Sequence, residues 1–589
     1  MNLIEREDLR FGRKGVAARA VSGLLMGLLG IGKVNRLYAR TLSSGEPAAR
    51  TILSDLQITA DVAGNDNIPA TGGAIVVANH PTGALDGILL IDVLTQVRPD
   101  VKFMGNFLLD KIESMKQYFI AVDPFDGADM RRNVHGIRES LAHVAAGGLL
   151  VIFPAGEVAT WRRGFGRVGD KRWSPSVVRT IRRAGVPVVP LYINARNSAL
   201  FHLAGKIHPM LRTALLPHEL FNKRGRRIAV TVGSPLTVRK AEELGDLKTY
   251  GDFLRANVEY MQDEKRPKRR KLLKRRIREV LAEEVIGPVD TALLQAEIDA
   301  IRADHKLFDY GAFEVFFTPP QRIPQMMTEI GRQREITFRA IGEGTMRRID
   351  LDKYDTYYNQ LFIWDREASR LVGAYRVGLG DAIMREYGLA GFYTNSLFRM
   401  SPGMAPVMEQ TIELGRSFIV QDYQRKPATL LLLWRGILYV LLKHGQFRNL
   451  LGPVTISGEF RPASKRVLVR YIRRYHYNAG LARHIRPLTG LAGIRSRIDL
   501  RLIDGVDDIE LIGKLVGDIE RGRLGVPILI KKYLQLNSHV LAFNVDHEFC
   551  DALDALMLLD LKKVPDDTIQ MVSKEITGID VMARFRSVR

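Results

Sequence analysis

Cysteine is nearly absent from this chain of 589 residues, and histidine is sparse. The one cysteine, Cys550, cannot form an internal disulfide, and a metal site built from several thiolates is excluded. The 12 histidines show no H-E-x-x-H or similar metal-ligand spacing. We therefore expect no metal ion and no disulfide framework, and the single thiol fits a reducing cytosol.

Long apolar runs are missing as well. The one candidate, Val21–Ile31, has about half of the roughly 20 residues that a membrane-spanning helix needs. Cations flank it on both sides, which is typical of a helix lying in the interface of an anionic membrane. A helix packed on the domain core fits the same pattern. Because the charged N-terminus is not a secretory signal, we expect a peripheral or monotopic protein at the cytoplasmic face of the inner membrane.

Positive charge is abundant: 87 Lys and Arg stand against 65 Asp and Glu, a formal net charge of +22. The expected partners are anionic, and they include an acidic membrane surface or an acidic carrier protein. No nucleic-acid-binding motif accompanies the charge, so we predict no nucleic-acid partner. Lys265–Arg278 holds ten Lys or Arg beside one apolar stripe, which predicts a basic amphipathic connecting helix. This helix either touches anionic lipid or is only solvated.

Residues 74–194 alternate strand-like and helical patterns. Ala74–Ala78 and Leu149–Phe153 are apolar and strand-like, whereas Met130–Ala146 has helical spacing. This alternation predicts an α/β domain with a largely parallel sheet, in which functional residues collect where strands end.

The first of these strands ends in V-V-A-N-H-P-T-G-A-L-D-G, residues 76–87. A His80 on a turn, followed by Asp86, suits general-base catalysis, because the carboxylate holds one ring nitrogen while the other takes a hydroxyl proton. A strand–turn–helix junction in which His80 only caps or hydrogen-bonds fits the two residues equally well. Six positions of ideal helix rotate about 240°, so the two cannot share a helical face. We expect Gly83 to absorb the extra residue.

The second strand runs directly into P-A-G-E, residues 154–157, and cations lie before and after this turn. A pocket with a histidine base and several arginines suggests an anionic substrate head group, although these cations equally fit a solvated, membrane-facing surface. The cations are Arg131, Arg132, Arg162, Arg163, Arg167, Lys171 and Arg172.

Together with V-P-V-V-P at residues 186–190, these motifs resemble the lysophospholipid and glycerolipid acyltransferases. The resemblance implies that His80 is the base and Asp86 its orienting partner, and that acyl groups pass from a thioester to a lipid hydroxyl. It also implies that Asn79, Gly156 and Glu157 bind substrate.

The chain departs from that family at both motifs. The family usually has four residues between the histidine and the aspartate, and here there are five. The family's Pro-Glu-Gly-Thr is replaced by a turn in which Glu157 follows Gly156. These departures predict an acceptor other than glycerol phosphate.

A second pattern begins after Phe308. A hairpin, the strand Glu413–Val420, a loop, a long apolar helix through Leu442 and the strand Gly452–Ser457 follow one another. This order resembles the core of the GNAT acyltransferases, in which the loop and the helix N-terminus hold the donor's phosphates. Gln424–Thr429 has no glycine, so a carrier-protein thioester is easier to accept here than coenzyme A.

Within that pattern, Asp355, Gly373–Arg376 and Glu413–Arg416 resemble the acyl-carrier-dependent N-acyltransferases that make lyso-ornithine lipid. The resemblance places Glu413, as a catalytic carboxylate, and Arg416 in the active cleft. It makes Asp355 and Arg376 supporting or acceptor-binding residues. The alternative is that Glu413 and Arg416 form an ion pair at a strand edge.

The whole chain thus resembles the bifunctional ornithine lipid synthases, an α/β protein of two acyltransferase domains. We predict an acyltransferase-like domain at 1–250, a basic linker helix at 251–290 and a GNAT-like domain at 291–589. N-acylation of ornithine or a similar amino acid would precede O-acylation of the resulting lyso-lipid. The donor would be an acyl-carrier-protein or coenzyme A thioester, with no other cofactor. The alternatives are a phospholipid acyltransferase with a regulatory GNAT-like domain and a non-catalytic membrane-surface protein.

Overall fold

The computed structural model describes residues 31–105, 113–122, 130–162, 167–262, 282–491, 494, 496, 498–547, 551–573, 576 and 580–587. They fall into two compact units, one of Met1–Glu264 with Arg497–Gly525 and one of Lys265–Ser496 with Val526–Arg589. Residues 21–30 of the predicted interface helix and the basic stretch Lys265–Arg278 lie outside the described residues. No helix in these ranges is long and apolar enough to cross a membrane.

The first unit is an α/β domain on a seven-stranded sheet, as the alternating pattern predicts. The strand order is β1-β9-β8-β2-β5-β3-β4, and all neighbours are parallel except β8 and β9. The strands are β1 Thr59–Ala63, β2 Ala74–Ala78, β3 Val101–Gly105, β4 Phe119–Ala121, β5 Leu149–Ile152, β8 Val188–Asn194 and β9 Arg227–Val232, with a separate hairpin of β6 Thr160–Arg162 and β7 Arg167–Gly169.

Helices cover this sheet. They are α1 Ile31–Ser43, α2 Ala48–Asp55, α3 Ala84–Thr95, α4 Met130–Ala145, α5 Pro175–Arg183, α6 Ala199–Ile207, α7 Pro209–Ala214, α8 Leu216–Phe221, α9 Val238–Glu242 and α10 Leu247–Glu259. Strand β2 is completely buried, which explains its continuous apolar run. Because β2, β5 and β8 are parallel neighbours, their carboxyl ends meet at one edge of the sheet, and the loops that follow them share that edge.

The second unit contains an eight-stranded sheet in the order β10-β11-β12-β13-β15-β16-β19-β18. Its neighbours are antiparallel except β15 and β16, which are parallel and pair only over Thr411–Glu413 with Asn449–Leu451. Beyond those residues the two strands separate, and β16 continues to pair with β19. The predicted order of hairpin, strand, loop, helix and strand is confirmed.

Among its described residues, the first regular element of the second unit begins at Thr291. Up to the loop before residue 497 they are α11 Thr291–His305, β10 Lys306–Tyr310, β11 Phe313–Thr318, α12 Pro324–Ala340, β12 Asn359–Asp365, β13 Arg370–Leu379, α13 Gly380–Tyr387, β14 Phe398–Met400, α14 Ala405–Glu409, β15 Thr411–Ile419, α15 Pro427–Lys443, β16 Asn449–Ile456, α16 Pro462–Tyr475, α17 Ala479–Ala482 and β17 Ile485–Pro487. After α18 Ile509–Ile519, which belongs to the first unit, they are α19 Ile528–Gln535, β18 His539–Asp546, β19 Ala552–Asp560, α20 Asp566–Ser573 and α21 Val581–Ser587.

The predicted boundary at residue 250 is too early. Helix α10 continues to Glu259, because Phe253, Leu254 and Val258 are buried in the first unit. The predicted linker helix at 251–290 therefore begins inside a helix of the first domain.

The predicted C-terminal domain at 291–589 is not continuous, since residues 497–525 belong to the first unit. Asp518 on α18 accepts hydrogen bonds from the amide and hydroxyl of Ser234, at 2.9 and 2.7 Å. Lys514 donates to Asn257 and to Asp518, both at 2.8 Å. Contacts this distant along the chain leave no local pattern, so the sequence did not indicate them.

This buried polar junction gives a prediction about stability. Replacing Asp518 by Ala leaves Lys514 and Ser234 without their shared acceptor, and we expect the free energy of unfolding to fall by about 3 kcal/mol. The matched control is Lys248→Ala, which removes the partner of Asp252 in an exposed pair and should cost less than about 1 kcal/mol. Urea denaturation of both variants measures the difference, and equal losses would contradict the structural importance of the junction.

Candidate active sites

His80 and Asp86 form a hydrogen-bonded dyad at the carboxyl end of β2. Nδ1 of His80 lies 2.9 Å from Oδ2 of Asp86. The imidazole is about one-fifth exposed, whereas the carboxylate is fully buried. Nε2 of His80 has no hydrogen-bond partner in the part of the chain that the structure describes. With the Nδ1 proton donated to Asp86, Nε2 keeps its lone pair and can accept a proton from a hydroxyl.

Asp86 binds more than the histidine. Its Oδ2 atom also accepts the amide protons of Thr82 and Gly83, at 2.8 and 2.9 Å, and its Oδ1 atom accepts the Thr82 hydroxyl. One buried carboxylate therefore fixes both the imidazole and the turn that carries it. The sequence gives no signal for the contact between the Thr82 hydroxyl and Asp86.

Gly83 accommodates the extra residue between His80 and Asp86, as predicted. Helix α3 begins at Ala84, and Gly83 precedes it with φ of 94°. This left-handed backbone is one that residues with a side chain rarely adopt. A Cβ atom at Gly83 would also lie 2.9 Å from the Leu216 side chain. His80 thus stands on the turn before the helix, and Asp86 reaches back to it from the first helical turn.

Asn79, predicted to bind substrate, is used inside the protein. Its side-chain amide donates to the carbonyl of Ile193 at 3.0 Å, and its Oδ1 atom accepts the Ile193 amide proton at 2.7 Å. Both ends of the buried amide are therefore occupied by strand β8. This contact positions the residue before His80 and uses one donor and one acceptor position of the Asn79 amide within the protein.

The turn after β5 packs against the dyad. The ring of Phe153 stacks on the His80 imidazole with 4.4 Å between centroids, and the Ala159 amide donates to the His80 carbonyl at 2.8 Å. Gly156 has φ of 68°, which suits glycine in this turn. Glu157 forms ion pairs with Arg212 at 3.0 Å and Lys171 at 3.4 Å.

Only some of the predicted cations can be placed. Lys171 contacts Glu157, and Arg172 is exposed. The side chains of the other five predicted cations lie outside what the structure describes: Arg131, Arg132, Arg162, Arg163 and Arg167.

Asp170 contacts the backbone of His80 and was not identified from the sequence. Both of its carboxyl oxygens lie 3.3 Å from the amide nitrogen of His80. Burial raises the pKa of Asp170 to about 7, against the opposing effect of the His80 amide and with a further rise from the charge of Glu259. A carboxyl group 90 residues along the chain thus binds the backbone of the catalytic candidate.

A largely buried cluster of arginines and aspartates occupies the second unit, with Asp352 and Arg416 half-buried at its edge. Its members lie on α12, on the segment between α12 and β12, and on β13 and β15: Arg334, Asp350, Asp352, Asp355, Arg376 and Arg416. Asp355 accepts from Arg334 at 2.7 Å and from Arg376 at 3.2 Å. Burial alone would raise the pKa of Asp355, but the two guanidinium groups outweigh it and hold the pKa below its usual value.

The cluster brings together the predicted Asp355, Arg376 and Arg416. Arg376 also donates to Asp352 at 2.7 Å, and Arg416 lies 3.5 Å from Asp350. The sequence run Asp350-x-Asp352-x-x-Asp355 was the available signal for the two aspartates that were missed.

Several buried polar atoms of this cluster are unsatisfied. Among the described residues, Asp350 Oδ2, Arg334 Nε, Arg376 Nη2 and Arg416 Nε have no hydrogen-bond partner. Buried polar atoms are normally paired, so such a group requires an explanation. One carboxylate oxygen and three guanidinium nitrogens are the complement of a small molecule that carries an ammonium and a carboxylate.

A bulge in β15 aims Arg416 into the cluster. Between the pairs Ala374–Phe418 and Arg376–Gly415, strand β15 has one residue more than β13. Arg416 there has φ of 47°, an uncommon conformation for a residue with a side chain. The guanidinium carbons of Arg376 and Arg416 lie 4.9 and 5.5 Å from the ring centre of Tyr393.

Glu413, predicted as a catalytic carboxylate, is fully buried and heavily bonded. It accepts the amide protons of Thr394 at 2.6 Å and Tyr393 at 3.1 Å, and also the Tyr358 hydroxyl. Burial raises its pKa, although these hydrogen bonds oppose the rise. The structure thus gives Glu413 an anchoring contact to the turn that carries Tyr393. It is not paired with Arg416, whose carboxylate neighbours are Asp350 and Asp352.

The loop before α15 offers few amide donors for a phosphate. Pro427, the first residue of the helix, has no N–H, and the Thr429 amide donates to the Lys426 carbonyl at 3.2 Å. The glycine-free loop Gln424–Thr429 therefore offers few backbone N–H groups that could bind a phosphate. No group of three or more His, Cys, Asp or Glu side chains within the described ranges could hold a metal ion.

Comparison with known proteins finds a family match in each part of the chain. Residues 48–265 match a family model described as an acyltransferase, and residues 333–435 match one described as an acetyltransferase (GNAT) domain. These matches confirm the two resemblances found in the sequence.

Named relatives point to two different acyl transfers. The chain is similar to a glycine N(alpha)-acyltransferase of Bacteroides thetaiotaomicron, with 29% identity over 299 residues, 48% of this chain and 88% of that protein. A protein of the same description from Phocaeicola vulgatus is 25% identical over 305 residues, 48% of this chain and 91% of its own length. A lyso-glycine lipid O-acyltransferase of Phocaeicola vulgatus is 26% identical over 188 residues, 31% of this chain and 65% of that protein.

The raised pKa of Asp170 predicts a pH-dependent contribution to stability. The folded protein holds a proton that the unfolded chain releases near pH 4, so the stabilisation is complete below about pH 4 and is lost as the pH rises through about 7. Asp170→Asn carries no titrating proton and keeps an oxygen for the His80 amide. We expect its melting temperature to rise relative to the wild type between about pH 4 and pH 8.

Thermal melting of both proteins across that range measures the effect. Asp61→Asn is the matched control, because Asp61 is exposed at the sheet edge. Parallel pH profiles for the wild type and Asp170→Asn would show that Asp170 is not a buried, protonated group.

Proposed function

We propose that this chain, an acyltransferase that joins an acyltransferase-family domain to a GNAT domain, makes an amino-acid-containing membrane lipid of the ornithine type in two steps. The GNAT domain would acylate the α-amine of the amino acid with a 3-hydroxyacyl group. The N-terminal domain would then acylate the new hydroxyl. One observation carries the proposal: a single chain is similar both to an amino acid N-acyltransferase and to an O-acyltransferase of the corresponding lyso-lipid.

The O-acylation follows from the dyad. Nε2 of His80 would take the proton of the lyso-lipid hydroxyl while its oxygen forms a bond to the thioester carbonyl carbon. The carbon–sulfur bond then breaks, and the leaving thiolate receives the proton from His80. Asp86, bonded to Nδ1 at 2.9 Å, would stabilise the imidazolium between these two proton transfers.

The N-acylation is proposed at the buried charged cluster. An α-amino acid carries one carboxylate and one ammonium, and the unsatisfied atoms of Arg376, Arg416 and Asp350 supply donors for the first and an acceptor for the second. A charge-assisted pair with arginine would orient the carboxylate. The ammonium must lose a proton before the amine attacks the thioester, and the buried carboxyl of Asp350, whose pKa is raised by burial, is suited to receive it. The nitrogen would then form a bond to the thioester carbonyl carbon, the carbon–sulfur bond would break, and the leaving thiolate would take the second proton that the nitrogen releases.

The order of the two steps follows from the chemistry of the acceptor. A free amino acid such as ornithine or glycine has no hydroxyl, so the O-acylation acceptor must arrive with the 3-hydroxyacyl chain. N-acylation therefore comes first.

A carrier-protein thioester is the proposed donor. The loop before α15 has no glycine and begins its helix with Pro427, which limits the backbone contacts available to the phosphates of coenzyme A. A chain with a net charge of +22 would attract an acidic carrier protein.

The acceptor is tested by supplying the purified protein with 3-hydroxyacyl and acyl carrier-protein thioesters and with ornithine or glycine in separate reactions. Mass spectrometry identifies the products. Glycine is the second arm because the similar proteins are described by that amino acid. Acylation of lysophosphatidate with no amino-acid lipid in either arm would contradict the proposal.

Two variants separate the two steps. His80→Ala should lower O-acylation by about 10²- to 10⁴-fold and accumulate the mono-acylated lyso-lipid, because general-base catalysis is lost while N-acylation continues. Arg376→Lys should make neither product from the free amino acid, yet it should still O-acylate lyso-lipid added from outside.

His135→Ala is the matched control, since His135 is an exposed histidine of the same unit. Loss of both products in His80→Ala, or diacylated product at the wild-type rate, would refute the assignment of the second step to the N-terminal domain.

A further inference from the structure

The outer face of helix α6 is apolar. Leu200, Leu203 and Ile207 follow helical spacing along it, and they are 58%, 58% and 74% exposed. The opposite face is also apolar or neutral, since Phe201 and His202 are buried against the domain. A helix that is apolar on its exposed side as well as its buried side is unusual on a soluble domain and marks an interaction surface.

Two more exposed apolar side chains extend this face. Leu211 on α7 is 43% exposed, and α7 packs against α6. Trp161 on β6 is also 43% exposed, and it lies beside α6 because the Lys206 ammonium is 4.6 Å from its ring centre. We call Trp161, Leu200, Leu203, Ile207 and Leu211 the α6 patch.

A cation borders the patch, since the exposed Lys206 lies over Trp161. The side chain of Arg212 runs along α6, where a Cβ atom at Gly205 would be 3.2 Å from Arg212 Cδ, but it is mostly buried and paired with Glu157. An indole beside an ammonium, next to protruding leucine and isoleucine, is the side-chain combination found at the boundary between lipid head groups and acyl chains.

A chain of contacts leads from Arg212, next to Leu211 of the patch, to the dyad. Arg212 binds Glu157 at 3.0 Å, and Glu157 ends the turn whose Phe153 ring stacks on His80. A surface that enters a bilayer here would therefore lie near the site at which the proposed function needs an acceptor and a product with long acyl chains.

We infer that the α6 patch inserts into the head-group region of a bilayer that contains anionic lipid. The apolar side chains would contact the acyl chains, and the exposed Lys206 would face the phosphates. Three observations favour a membrane over a protein partner: the apolar face is bordered by the Lys206 ammonium, the chain has a net charge of +22, and a chain of contacts joins the neighbourhood of the patch to the dyad. The inference rests on the proposed function only in explaining why the protein would bind a membrane near the dyad. Membrane binding itself can be measured without any catalytic turnover.

The test is co-sedimentation of the full-length protein with vesicles of equal parts phosphatidylglycerol and phosphatidylethanolamine, without substrates. The double substitution Leu203→Glu/Ile207→Glu should lower the partition coefficient at least about tenfold, because two apolar side chains lose their burial. Leu293→Glu is the matched control, since Leu293 is a 49% exposed leucine on a helix of the second unit. It should change partitioning less than about twofold.

A second variant separates charge from insertion. Lys206→Gln should lower partitioning about fivefold at low salt, and high salt should remove that difference.

Quenching of tryptophan fluorescence tests insertion directly. Lipids brominated on the acyl chain should quench the fluorescence of the wild type more strongly than that of Trp161→Phe. The quenching measurement reports insertion of Trp161 even if the glutamate variants are less stable than the wild type.

Three results would overturn the inference. The first is wild-type partitioning by Leu203→Glu/Ile207→Glu with an unchanged melting temperature. The second is equal quenching of the wild type and Trp161→Phe. The third is a wild-type dimer that the double substitution dissociates while vesicle binding stays the same, because a second copy would then be what covers the patch. Failure of the proposed lipid synthesis leaves all three measurements valid.

Discussion

The buried carboxylate of Asp86 is the contact on which the first site depends. It accepts hydrogen bonds from His80, from the Thr82 and Gly83 amides and from the Thr82 hydroxyl, so one group fixes a ring orientation and a backbone turn together. Because every one of these donors lies on the turn between His80 and helix α3, losing the carboxylate would release the ring and the turn together. The positive φ of Gly83 is the backbone condition that allows the arrangement.

In the second site, too, buried charged groups fix one another's positions, and more of them take part. Asp355 is held between Arg334 and Arg376, and a bulge turns Arg416 towards Asp350. Charges this deeply buried are costly unless they are paired, so under the proposed function the unpaired atoms are where a charged ligand would complete the cluster. In both sites a predicted site residue also makes contacts that position others: Asn79, predicted to bind substrate, bonds to strand β8, and Glu413, predicted as the catalytic carboxylate, bonds to the turn that carries Tyr393.

The sequence predicted those features that leave a local pattern. The apolar run of β2, the turn around His80 and the conformation of Gly83 follow from neighbouring residues, and the two domain resemblances rest on runs of consecutive residues. Contacts between distant segments could not be predicted in this way. Asp170 reaches the His80 amide across 90 residues, and residues 497–525 return to the first unit across more than 200. The sequence also does not distinguish an arginine on the surface from a buried one. For that reason Arg334 was not predicted as a member of the charged cluster.

The central claim is that Asp86 holds the proton of His80 on Nδ1 and leaves Nε2 as the base. The most direct measurement is the pair of ¹⁵N chemical shifts of the His80 ring near neutral pH, assigned by comparison with His80→Ala. We predict a protonated Nδ1 and an unprotonated Nε2 in the wild type, and a loss of this preference in Asp86→Asn. A proton on Nε2 in the wild type, or ring shifts unchanged by Asp86→Asn, would contradict the account.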